Sequence, residues 1–112
     1  MFEIETIKHE DAIQIIETQK PIGLFITKDG DKYIAIDNSE GHAWTEEFRS
    51  LYVADCWLTG DIESTFEAYE TDRAITRLAS ILRWHPWYEN ETIERCREMA
   101  EHTIMNLRKG AK

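Results

Sequence analysis

The chain has 112 residues, of which 42% are hydrophobic and 31% charged, with five glycines and two prolines. That composition excludes a disordered tail, a collagen-like segment and a low-complexity linker, and the length suits one domain, 1–112, with a buried core. Thirteen Lys and Arg against 22 Asp and Glu give a net charge of −9, and no apolar run approaches the roughly 20 residues of a membrane span.

Phe2, Ile4 and Thr6 alternate with Glu3, Glu5 and Ile7, a short strand pattern. From Lys8 to Gln19, the apolar residues Ala12, Ile13, Ile15 and Ile16 suit a helix with one buried side. Lys20-Pro21 ends it, because the residue before proline avoids helical angles. Ile22–Thr27 and Lys32–Asp37 are strand-like and flank the turn Lys28-Asp29-Gly30-Asp31. Asp-Gly between two such runs predicts a hairpin with a type I′ turn. Asn38-Ser39-Glu40-Gly41 is a second turn, and His42–Phe48 a third strand with Trp44, Glu46 and Phe48 on one face. A competing reading makes Thr45 a helix cap followed by Glu46 and Glu47.

Ser50 caps a short helix through Leu58 that Gly60 closes in the left-handed conformation, and Asp61 is the expected cap of the next. Within 62–84 the apolar face changes sides. Ile62, Phe66 and Tyr69 share one side, whereas Ile75, Leu78 and Leu82 lie on the other. Either the helix breaks at Thr71-Asp72 or one long helix is packed on both sides; the break is favoured. Trp84-His85-Pro86-Trp87 ends the segment. Asn90 is the expected cap of a final amphipathic helix of about 18 residues carrying Ile93, Cys96, Ala100, Thr103 and Leu107. Arg108 and Lys109 suit its C-terminal dipole, and Gly110 closes it. The expected fold is α+β: an antiparallel three-strand meander, with room for a fourth N-terminal strand, packed with helices that dominate the C-terminal half.

The charge is uneven. Residues 1–28 carry −2, residues 29–72 carry −10 and residues 73–112 carry +3. Direct binding to duplex DNA is not expected of such a chain, because phosphate affinity counts neutralised charges. The acidic middle would attract a protein partner with a basic surface, while the plainer reading is that it maintains solubility. The candidate partner-binding residues are Asp29, Asp31, Glu46, Glu47, Asp61, Glu63, Glu67 and Glu70. With only Lys32 and Arg49 among them, these acids are expected to be exposed and locally unpaired. Trp84, Trp87 and Tyr88, beside His85, form an alternative aromatic patch suited to an interface.

Catalytic chemistry finds little support. The glycines stand singly, so there is no phosphate loop, and no Gly-x-Ser-x-Gly is present. His9, His42, His85 and His102 fall on different elements. Glu98 and His102 share a helix face, but Cys96 points away from them, so no metal site and no cofactor are expected. The N-terminus has neither a basic n-region nor an apolar h-region, so no secretory signal is expected and a cytoplasmic, reducing setting is. There Cys56 and Cys96 read as buried free thiols, with a disulfide between them left open.

The stretch Pro21-Ile22-Gly23-Leu24-Phe25, Lys28-Asp29-Gly30-Asp31-Lys32-Tyr33, Ile36-Asp37-Asn38 and Ala43-Trp44-Thr45-Glu46-Glu47-Phe48 resembles small uncharacterised proteins of Gram-positive phages and mobile elements. That resemblance, over about residues 21–48, implies action without a cofactor, in some cases as an inhibitor of host machinery or of a defence system. Three functions follow in order: a non-enzymatic protein-binding module using the acidic surface; a small-molecule binder whose pocket uses Trp44, Tyr33 or Trp57; and, last, a small hydrolase.

Overall fold

A computed structural model describes residues 3–110. Its elements are β1 (Ile4–Thr6), α1 (His9–Thr18), β2 (Gly23–Asp29), β3 (Lys32–Asn38), β4 (Trp44–Phe48), α2 (Leu51–Thr59), α3 (Thr65–Trp84), a 3-10 turn (Pro86–Tyr88) and α4 (Ile93–Gly110). The chain divides into two compact units, Met1–Ala68 and Tyr69–Lys112. The expected Phe2 of the first strand lies outside the described residues.

In the first unit the sheet has the order β1-β2-β3-β4. β2 and β3 pair antiparallel from Gly23↔Asn38 to Asp29↔Lys32, and β3 and β4 from Tyr33↔Phe48 to Asp37↔Trp44. The meander is therefore present, and the helix-cap reading of Thr45 is overturned. The fourth strand is also present, but it runs parallel to β2 (Ile4↔Leu24 to Thr6↔Ile26), so the sheet is mixed rather than antiparallel. The cause is the intervening helix: α1 carries the chain back to the end at which β1 began, which makes β1-α1-β2 a crossover.

Register assigns the two faces. Phe25 and Ile36 are opposite each other on one face, and Ala12 and Ile15 of α1 pack on them, with Ile7, Ile34 and Ala43 at the margin. Tyr33 and Phe48 pair on the other face, where the ring of Phe48 lies 5.8 Å from that of Trp57 on α2. The sheet is thus covered on both faces, and Leu24 to Thr27 and Ala35 to Ile36 form continuous buried runs rather than alternating ones. Ile13 and Ile16 are exposed, so α1 buries a narrower stripe than expected.

The hairpin turn departs from its predicted chemistry, and the second turn is present as expected. The hairpin loop is Gly30-Asp31, with Gly30 at φ 65° and Asp31 at negative φ. Positive φ at the first central residue alone is the pattern of a type II′ turn, not type I′, and glycine leads it. The turn after β3 is held by Asn38, whose Nδ2 donates to the Pro21 carbonyl (2.6 Å) and whose Oδ1 accepts from the Ala43 N–H (3.0 Å).

Ser50 caps α2, its Oγ accepting from the Val53 N–H (3.3 Å), and Gly60 closes it at φ 82°. The cap of α3 is not Asp61 but Ser64, whose Oγ accepts from the Glu67 N–H (3.1 Å). Once started, α3 runs unbroken through Thr71-Asp72. The expected break is wrong because the large residues misled the face assignment. Phe66 is 72% exposed, while Ala68, Thr71, Asp72, Ile75 and Ala79 are buried and fall on one continuous stripe at helical spacing. α4 is capped by Thr92, whose Oγ1 accepts from the Arg95 N–H (3.1 Å), two residues after the expected Asn90. It buries Cys96, Ala100 and Met105, leaving Ile93, Thr103 and Leu107 exposed. Both cysteines are buried thiols that form no disulfide with each other. Among the described residues no helix is long and apolar enough to cross a membrane.

Candidate functional site

The acidic residues fall into groups set by the first unit's connections. Asp29 ends β2, Asp31 occupies the hairpin loop, and both are exposed. Glu47 projects from β4 and is also exposed, but Lys32 Nζ lies 3.6 Å from its Oε2, so this acid has a local basic partner. Glu46, the next residue along the strand, faces the opposite side and is half-buried. A second group occupies the connection between α2 and α3. Asp61 and Glu63 are exposed there. Glu67 is different: its Oε2 accepts from the Glu63 N–H (2.9 Å) while its own N–H donates to Ser64 Oγ, so this carboxylate helps to start α3. Glu70 is exposed and belongs to the second unit.

Charge segregates by unit. Residues 1–68 hold fifteen acids and five bases, net −10, and residues 69–112 hold seven acids and eight bases, net +1.

The proposed ligand-stacking aromatics do not share one space. Trp57 is half-buried against Phe48, with its Nε1 donating to Thr65 Oγ1 (3.2 Å). Tyr33 is half-buried, with Lys28 Nζ 5.8 Å from its ring centre. Trp44 is 62% exposed at the start of edge strand β4, beside His42 (5.9 Å between rings). It lies four residues along β4 from Phe48, about 13 Å by strand rise.

In the second unit the Pro86 turn builds a compact aromatic group. His85 Nδ1 accepts from the Trp87 N–H (3.1 Å), capping the 3-10 turn. Its ring meets Trp87 edge-on at 4.9 Å and lies 5.9 Å from that of Tyr88. Trp84 and Trp87 are 85% and 83% exposed. Tyr88 turns inward, and with Leu82 of α3 and Arg95, Glu98, Met99, His102 and Thr103 of α4 it lines a cleft of about 500 Å³. Arg95 Nη1 lies 3.2 Å from Glu98 Oε2.

Glu98 and His102 therefore do share a surface, as their spacing implies, while Cys96 is buried away from them. Among the described residues no group of three or more His, Cys, Asp and Glu side chains could hold a metal ion. The sequence reading missed the cleft. The available signal was Pro86 reversing the chain between two helices, which brings Leu82 and Tyr88 against one face of α4. Compared with family models, with curated proteins and with solved structures, the chain matches none.

Proposed function

We propose that this chain is a non-enzymatic protein-binding module whose acidic first unit docks on a basic protein surface. The observation that carries this reading is the segregation of charge: −10 in residues 1–68 against +1 in residues 69–112, with Asp29, Asp31, Asp61 and Glu63 exposed on turns and connections. Exposed charge of one sign speeds the encounter with a partner of the other sign. The resemblance of residues 21–48 to phage and mobile-element proteins favours an inhibitor of a host or defence protein. If that partner binds nucleic acid, the carboxylates stand in for phosphates. A second contact is favoured by Trp84 and Trp87, because tryptophan is normally well buried and contributes strongly at interfaces.

The test is kinetic. The partner is isolated from the native host by cross-linking, and association is followed as ionic strength rises. Association with the wild type should slow with salt, and the variant Asp29→Lys, Asp31→Lys, Asp61→Lys, Glu63→Lys should associate at least about tenfold more slowly in low salt. Glu67 is left unchanged because it supports the start of α3. A folded four-lysine variant that associates at the wild-type rate would assign the acids to solubility and move the contact to Trp84, Trp87 and Tyr88.

A further inference from the structure

The cleft of the second unit is not used by this reading, and its lining is chemically selective. Leu82, Met99 and the Tyr88 ring supply apolar walls from three consecutive elements, and the volume of about 500 Å³ suits a ligand with one or two rings. Four of its polar side chains can donate a hydrogen bond to an anion. Arg95 has five N–H donors and no acceptor; His102, Thr103 and Tyr88 can each donate. Glu98 is the one charged acceptor, and it already lies 3.2 Å from Arg95 Nη1. A guanidinium can keep that contact and still present its other N–H groups to a second carboxylate.

From this we infer that the cleft binds a small aromatic carboxylate, with the ring between Leu82, Met99 and Tyr88 and the carboxylate on Arg95 and Thr103. Glu98 is the competitor for the same guanidinium, so it weakens the site while holding Arg95 in place. The inference is independent of the acidic surface, since every lining residue lies within residues 69–112.

The experiment is an amide NMR titration of the full chain with phenylacetate, with benzylamine and phenylacetamide as charge controls. Phenylacetate should shift the Tyr88, Arg95 and Thr103 resonances saturably, with a dissociation constant at or below about 1 mM. Arg95→Gln should weaken binding about tenfold or more, Thr103→Val by a smaller factor, and Glu98→Gln should strengthen it. All three side chains are exposed, and the dispersion of the same spectra reports that each variant is folded. The strengthening by Glu98→Gln is the discriminating result, because a merely structural ion pair gives no gain in affinity when broken. No saturable shift with phenylacetate, equal binding of benzylamine, or an affinity indifferent to both Arg95→Gln and Glu98→Gln would each overturn the assignment.

Discussion

Asn38 shows how one residue fixes a connection. It is fully buried, and its amide spans two segments that have no ladder between them, Pro21 ahead of β2 and Ala43 ahead of β4. The second bond also holds Ala43 at φ 50°, a conformation alanine adopts at a cost. Asn38→Ala removes both bonds, leaves the Pro21 carbonyl and the Ala43 N–H without that partner, and opens a cavity. We expect a loss of about 2–4 kcal/mol in urea-unfolding stability; a loss below about 0.5 kcal/mol, typical of ordinary surface changes, would show that the amide bridges nothing of consequence. Gln19 is the opposite case. It closes α1 at φ 59°, ψ 32°, where glycine is the usual residue. Gln19→Gly should therefore stabilise the protein by about 0.5–1 kcal/mol, a rise in thermal midpoint rather than a fall. Gly30 needs its positive φ for the hairpin loop, and the space around its missing Cβ is open. Gly30→Val should cost about 1–2 kcal/mol through the backbone alone, and an unchanged denaturation midpoint would refute the turn geometry.

At the level of elements, α3 is the informative one. If a helix began at Thr71 or Asp72, Arg73 would sit in its first turn, where proline is tolerated. In the continuous helix Arg73 is an exposed interior position, so Arg73→Pro removes an internal hydrogen bond and clashes with the preceding turn. Circular dichroism and urea unfolding should record a loss of about 3 kcal/mol or more, against almost none for a helix start. The same element explains what the sequence could and could not tell. The meander, α2 with Ser50 and Gly60 at its ends, and the length of α4 were legible because strong local signals set them: a glycine hairpin, a serine cap, regular apolar spacing. The unbroken α3 was not. Apart from Ile75, its buried stripe is made of Ala68, Thr71, Asp72 and Ala79, small or polar residues that no hydrophobicity pattern marks, while the bulky Phe66 faces solvent. The direction of β1 was illegible for another reason, since three residues carry no information about the strand they pair with. Of the site, the exposure of Asp29, Asp31, Asp61 and Glu63 followed from turn positions. The capping role of Glu67 and the cleft did not, because both depend on where neighbouring segments meet.

For the whole molecule, the separation of charge has a consequence that needs no partner. Residues 1–68 carry −10 within a few tens of ångströms, and the Lys32–Glu47 ion pair there is exposed and at 3.6 Å. Such a pair contributes little, at most about 1 kcal/mol, so repulsion among exposed carboxylates such as Asp29, Asp31, Asp61 and Glu63 works against the compact state. Residues 69–112 are nearly neutral and carry no comparable burden. Screening should therefore act on one unit and not on the other. Raising sodium chloride shortens the Debye length from about 30 Å at 0.01 M to about 8 Å at 0.15 M, which removes most of the repulsion between exposed acids. Amide hydrogen exchange measured at the two salt concentrations should show stronger protection in β2, β3 and α2 at the higher one, while amides of α4 change little. Chloride is the right anion for this comparison, because sulfate would strengthen apolar burial in both units alike. Equal gains in the two units would mean that salt acts through general solvation and that the acids of the first unit do not repel one another to any useful degree. A gain confined to the first unit that is reproduced at low salt by Asp29→Asn, Asp31→Asn, Asp61→Asn and Glu63→Gln together would assign the repulsion to the same exposed carboxylates proposed as the docking surface.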